Sequence, residues 1–166
     1  MSFSPVPRFS FRSITEISPG FTRELGLNFL MLDLDNTIAA YSEQTPSNEL
    51  LEWAAAMADC GVELFIVSNS RREVRVKAFA ETLGIGFMIS ARKPSPKGLL
   101  SAMETAGYNR EESAFAGDQV YTDALAANRA GIASIIVHPR SLRNPFLALR
   151  YALESPFRAL SRNQLQ

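Results

Sequence analysis

The 166-residue chain reads as one α/β domain, a three-layer α/β/α sandwich around a mostly parallel central sheet. Three observations predict it. Short apolar runs of strand length alternate with amphipathic stretches of helix length, the order that builds a parallel sheet covered on both faces. Reactive residues fall just after the apolar runs, and open sheets of this kind bind ligands beyond the carboxyl ends of their strands. A hydrophobic content of 46% supplies one core at this length.

Residues 1–20, rich in Pro, Ser, Phe and Arg, show no clean period and are expected to form an arm that lies on the domain without regular structure. Leu27 to Leu32 is a buried strand leading into Asp33. Thr45-Pro46 reads as an N-cap with proline at the first helical position. Leu50, Leu51, Ala54, Met57 and Ala58 then line one face of a helix that Gly61 ends. Val62 to Val67 is the second strand, and Ser70-Arg71-Arg72-Glu73 has the spacing of a capping box, with Ser70 as cap and a helix running to Gly84. Gly86 to Ile89 is a short strand. Ser95-Pro96 opens a helix that stops near Gly107, Ser113 to Ala116 is a strand, Thr122 caps a helix ending at Gly131, and Ile132 to Val137 is the last strand. The pattern is Rossmann-like, with a domain over residues 21–140 and a basic amphipathic segment over 141–166.

Charge balances at 17 basic and 17 acidic residues, so no general attraction to nucleic acid is expected. The balance is uneven along the chain: from His138 onward Arg140, Arg143, Arg150, Arg158 and Arg162 face the single acid Glu154. One cysteine, Cys60, excludes an internal disulfide and a multi-cysteine zinc site, and its helical surroundings suggest a small core residue. No run reaches the ~18 apolar residues a membrane span needs. The first residues lack the apolar core of a signal peptide, which points to a reducing compartment, the cytoplasm or an organelle matrix.

Leu32-Asp33-Leu34-Asp35-Asn36-Thr37 carries the most chemical information. Two carboxylates two residues apart at a strand exit can both face the rim. Phosphate-ester hydrolysis needs an in-line nucleophile, a proton for the leaving oxygen and positive charge for the equatorial oxygens. Asp33 suits the nucleophile, forming an aspartyl-phosphate, and Asp35 the general acid and base. An Asx-type turn explains the same pair without any chemistry. In Gly117-Asp118-Gln119-Val120-Tyr121-Thr122-Asp123, Asp118 can join Asp33 and the Asp35 backbone carbonyl around a hard cation such as Mg²⁺. Asp123 either supports that site from behind or complements a helix dipole.

Ser68, with the Asn69 backbone N–H, can hold a phosphate oxygen or can simply form a turn. The chain has three lysines, Lys77, Lys93 and Lys97. Lys93, held extended before Pro94, is the first candidate for phosphate binding. Lys97 is either a second contact or an ordinary exposed lysine.

These stretches, in this order, resemble the four motifs of the haloacid dehalogenase-like (HAD) phosphatases. The resemblance implies Asp33 as nucleophile, Asp35 as acid/base, Ser68 and Lys93 as phosphate-holding residues, Asp118 and Asp123 as the acidic fourth motif, Thr37 as a supporting residue and Mg²⁺ as cofactor. Arg92-Lys93-Pro94, Gly117-Asp118-Gln119 and Asn128-Arg129 make the chain similar to the YqeG-type branch, which includes mitochondrial phosphatidylglycerophosphate phosphatases. The likeness spans roughly residues 13 to 138. It implies hydrolysis of phosphatidylglycerophosphate to phosphatidylglycerol, with a soluble phosphatase for a nucleotide, sugar or protein phosphate as the alternative. A non-catalytic phospho-ligand-binding domain is a further alternative, opposed by the intact Asp33/Asp35 pair.

Neither Thr37 to Thr45 nor Asn69 to Lys93 has room for the cap domain of larger relatives, so an open site is expected. Pro145 to Leu153 reads as a short helix limited by Pro156. Its mixture of Phe, Leu and Arg suits either peripheral membrane contact or docking on the sheet with solvated arginines.

Overall fold

The computed structural model describes residues 4–163. Seven strands form one parallel sheet: β1 (Phe9–Phe11), β2 (Phe29–Leu32), β3 (Glu63–Val67), β4 (Gly86–Met88), β5 (Ser113–Gly117), β6 (Ala133–Val137) and β7 (Arg162–Asn163), in the order β4-β3-β2-β5-β6-β1-β7. The helices are α1 (Pro19–Glu24), α2 (Asn48–Asp59), α3 (Glu73–Leu83), α4 (Lys97–Ala106), α5 (Leu125–Ala130) and α6 (Pro145–Ala159).

Alternation along the central strand separates two cores. Leu30 and Leu32 of β2 join Leu50, Trp53 and Met57 of α2 and Val76 and Phe79 of α3 on one face. Phe29 and Met31 point the other way, to Leu99 and Met103 of α4 and Ala126 and Ala130 of α5. Successive strand residues point to opposite sides, so a strand covered on both faces must be apolar throughout, and β2 is buried at every position. That gives the expected three layers.

Several local expectations are corrected. Phe9–Phe11 is not irregular: it pairs in register with Ile135–Val137 of β6, and Phe9 and Phe11 bury their rings edge-on against Phe21. The three residues are too few to display a period, so only pairing reveals the strand. Ser47, rather than Thr45, caps α2 by accepting from the Leu50 N–H at 3.2 Å. Ser70 accepts from Arg72 N–H and no side chain caps α3. Thr122 lies inside a π-helical turn (Val120–Ala124) that runs into α5, and it caps nothing. Cys60 is exposed, because α2 has ended and its apolar face no longer points inward there. Pro156 does not stop α6, which continues to Ala159. A proline in the last turn removes one backbone donor and leaves the earlier helix intact.

The largest correction concerns α6. Its arginines are not the solvated side. Glu154 and Arg158 are buried, whereas Phe146, Leu149 and Leu153 are 83%, 60% and 61% exposed, so the helix sits charged face inward.

Candidate active site

The carboxyl ends of four strands converge. Asp33 follows β2, Ser68 follows β3, Lys93 stands in the loop after β4, and Asp118 follows β5. All four are buried. Parallel register brings them together, since Leu32 pairs with both Ile66 of β3 and Ala116 of β5.

Lys93 is the hub. Its Nζ lies 2.6 Å from Asp33 Oδ1 and 2.9 Å from Asp123 Oδ1, and stacks over the Phe115 ring at 4.6 Å. Its backbone is held by Asn69, whose amide accepts from the Lys93 N–H at 2.8 Å and donates to the Lys93 carbonyl at 3.0 Å. Thr37 Oγ1 lies 3.3 Å from Asp33 Oδ2 and 3.4 Å from Asp118 Oδ1, within donating distance of either. Asp123 accepts from the Gln119 N–H at 3.0 Å, so both its oxygens are engaged.

Electrostatics follow from that crowding. Burial pushes Asp33 up from 3.8 to about 6, although Lys93 opposes the shift and Asp123 adds to it. Asp118 is raised well above the usual carboxylate range, first by burial and then by Asp123 and Asp33. Burial alone would lower the Lys93 ammonium, yet Asp123 and Asp33 outweigh it and hold the group above its ordinary value.

Asp33, Asp118 and Asp123 bring carboxylate oxygens within 4.8 Å of one another. Lys93 and Arg150, which reaches Asp118 at 3.2 Å, bring two positive charges to three buried carboxylates, and oxygen donors are what a hard divalent cation takes to balance the excess. The donor set therefore fits a hard divalent cation.

The haloacid dehalogenase-like hydrolase family matches residues 12–131, which contain this whole constellation. The chain is a haloacid dehalogenase-like hydrolase. It is 35% identical over 136 residues to the probable phosphatase YqeG of Bacillus subtilis (strain 168), spanning 82% of this chain and 78% of that one. Among solved structures it shares its fold with an uncharacterized protein from Listeria monocytogenes serotype 4b, at a TM-score of 0.56 and 18% identity, covering 72% of this chain and 85% of the other. It also shares it with the 3-deoxy-D-manno-octulosonate 8-phosphate phosphatase of Yersinia pestis, at a TM-score of 0.53 and 16% identity, covering 75% and 71%.

Within this HAD hydrolase, direct contacts join Asp33, Thr37, Lys93, Asp118 and Asp123 at one buried centre, Ser68 is buried at the end of the neighbouring strand, and Asp35 lies on the rim. Lys97 is exposed, away from the carboxylates. The Ser68 hydroxyl accepts from the Ser70 N–H at 3.0 Å, so turn formation is part of its work. The Asn69 side chain serves Lys93, a contact that its place beside Ser68 did not suggest.

Sequence reasoning missed four residues. Arg75 of α3 reaches Asp35 Oδ1 at 2.5 Å and donates to the carbonyls of Ala40 and Glu43 at 2.9 and 3.2 Å. Arg150 of α6 reaches Asp118 Oδ2 at 3.2 Å, and Arg158 donates to the Asp118 carbonyl and to Glu154. The four-residue spacing of Arg150, Glu154 and Arg158 was the available signal, since it puts all three on one helical face. For Arg75 no local signal exists.

Proposed function

We propose that this hydrolase is a Mg²⁺-dependent phosphatase that cleaves a lipid-linked phosphomonoester, phosphatidylglycerophosphate, to give phosphatidylglycerol. Phosphatase chemistry is supported by the family and by the relative of the same kind. One observation carries the lipid: α6 turns Phe146, Leu149 and Leu153 outward while its inner face touches Asp118. An exposed apolar helical stripe, with the exposed Arg143 just ahead of the helix, is how a peripheral protein meets an anionic bilayer. Here that stripe stands beside the reacting centre. A groove of about 590 Å³ between Tyr41, Arg140, Arg143 and Leu147 adds room for a bulky anionic group. No described helix is long and apolar enough to cross a membrane, so contact would be peripheral.

In this reading an Asp33 carboxylate oxygen attacks phosphorus in line, and the ester P–O bond breaks. Asp35 gives its proton to the leaving oxygen through the oxygen that Arg75 leaves free. It then takes a proton from the water that hydrolyses the aspartyl-phosphate. Lys93 holds Asp33 in place and faces the transferred phosphoryl group, with the Ser68 hydroxyl and the Asn69 N–H on its other oxygens. Asp33, Asp118 and the Asp35 backbone carbonyl would hold the cation, which supplies positive charge against the phosphoryl oxygens. Asp123, with both oxygens occupied, fixes Lys93 from behind.

The test is phosphate release from phosphatidylglycerophosphate in mixed micelles with Mg²⁺, beside soluble phosphomonoesters, with Asp33→Asn as control. Preference for the lipid supports the full reading. Release from soluble esters alone keeps the chemistry and removes the lipid. Undiminished activity in Asp33→Asn removes the nucleophile assignment.

A further inference from the structure

Helix α6 docks in a way that hydrophobic burial does not explain. Its large apolar residues Phe146, Leu149 and Leu153 face outward, and the stripe it turns inward, one residue every four, is the half-buried Arg150 with the buried Glu154 and Arg158. Phe157, half-buried against Val120, Ala124 and Ile136, is its main apolar anchor. Burying ions is a poor source of stability, because desolvation offsets most of the mutual attraction. This network is also incompletely satisfied: Arg150 Nε, Glu154 Oε1 and Arg158 Nε are buried without hydrogen-bond partners among the described residues. A fold that keeps such a stripe has a reason other than stability to hold it there.

The contacts indicate the reason. Arg150 Nη2 lies 3.2 Å from Asp118 Oδ2, while Thr37 approaches Oδ1 of the same carboxylate. Arg158 donates to the Asp118 backbone carbonyl and, at 3.0 Å, to the Val137 carbonyl at the end of β6. Glu154 accepts from Arg158 at 3.0 Å and stands 3.8 Å from Arg150 Nε, tying the two guanidinium groups into one unit. Asp118 is thus gripped at side chain and main chain by a single helix.

We propose that Arg150 is a positioning residue for Asp118, held by Glu154 and Arg158, so that α6 sets the orientation of a divalent-cation ligand and belongs to the active site. A carboxylate with free rotation about its side-chain bonds must be ordered when a cation binds. One already held by a guanidinium loses less entropy, and partners behind a ligand tune affinity strongly. This inference rests on the reading of Asp33 and Asp118 as the cation ligands.

The test is calorimetric titration of the full chain with Mg²⁺, with folding checked by circular dichroism. Arg150→Ala is expected to weaken binding roughly 10- to 100-fold, the range seen when such supporting partners are removed. Arg150→Lys, which can still reach Asp118 with a point charge, should recover part of the loss, as a merely structural defect would not. Glu154→Gln should weaken binding in the same direction. Unchanged affinity in Arg150→Ala overturns the proposal. Tightened affinity overturns it too, since the guanidinium would then be competing with the cation. A wild-type chain that binds no Mg²⁺ at all removes the cation reading itself, a result distinct from equal affinities in wild type and variant.

Discussion

Arg75 Nη1 stands 2.5 Å from Asp35 Oδ1, and the same guanidinium holds the carbonyls of Ala40 and Glu43. One side chain of α3 therefore fastens both the proposed acid/base and the short loop that follows it. That loop, from Thr37 to Thr45, is too short to hold a cap domain. Arg75 braces it.

Arg75→Ala is expected to lower kcat by about 10²-fold, within the span that a positioned acid/base contributes. The loss should be greatest for esters with poor leaving groups, which depend most on proton donation. Steady-state kinetics across leaving groups of graded acidity check this. An equal loss for every ester would mean that Arg75 acts on binding and not on Asp35.

Lys93→Met removes the cation between Asp33 and Asp123, both of which stay buried. Stranding buried charge in this way costs about 3–5 kcal/mol. Urea denaturation should show that loss in the absence of Mg²⁺. Added Mg²⁺ should recover part of the stability without restoring turnover.

The acidic centre gives stability a definite pH dependence. Asp33 is raised from 3.8 to about 6, and Asp118 moves in the same direction. A carboxyl whose folded value exceeds its unfolded one binds its proton more tightly when folded. Its contribution is fully present below about pH 4 and is lost as pH rises through about 6. For Asp33 the span is on the order of 3 kcal/mol, at about 1.36 kcal/mol per pKa unit. Thermal unfolding in chelator from about pH 4.5 to about pH 7.5 should show less decline for Asp33→Asn than for wild type. An unchanged slope would place the titration elsewhere.

Gly117 ends β5 directly beneath Asp123, and a methyl group there would meet the Asp123 carboxylate closer than side chains ever approach. Gly117→Ala should push Asp123 off Lys93, lowering activity by about 10- to 100-fold in line with small displacements of positioned groups. Circular dichroism should show that the sheet survives. Wild-type kinetics in this variant would mean that Asp123 has a second acceptable position.

If α6 meets a bilayer, replacing its outward residues should separate binding from chemistry. Phe146→Ser with Leu149→Ser is expected to weaken flotation with vesicles containing anionic phospholipid while hydrolysis of a soluble ester persists. Flotation equal to that of wild type would remove the membrane from the function.

Much of this molecule was legible along the chain because its signals are local. Alternating apolar runs and capped helices give a parallel sheet, and the sheet in turn sends every residue just past a strand to one rim. Asp33, Ser68, Lys93 and Asp118 could be named from position alone for that reason. Along the chain only its extended place before Pro94 favours Lys93 over Lys97, because the destination of each depends on where the loop after β4 folds back. The structure buries Lys93 between two carboxylates and leaves Lys97 in solvent.

What only the tertiary structure decided depends on contacts between segments far apart in sequence. The strand at Phe9–Phe11 exists because β6 offers it an edge, and three residues carry too little pattern to announce it. Arg75 meets Asp35 across forty residues and Arg150 meets Asp118 across thirty-two, separations at which composition and periodicity say nothing about partners. The orientation of α6 is the clearest case. Its sequence permits either face to turn inward, and apolar burial favours the one that the structure leaves outside. The structure turns the guanidinium face inward, with Arg150 3.2 Å from the buried carboxylate of Asp118, a pairing between distant segments that nothing within the helix itself announces.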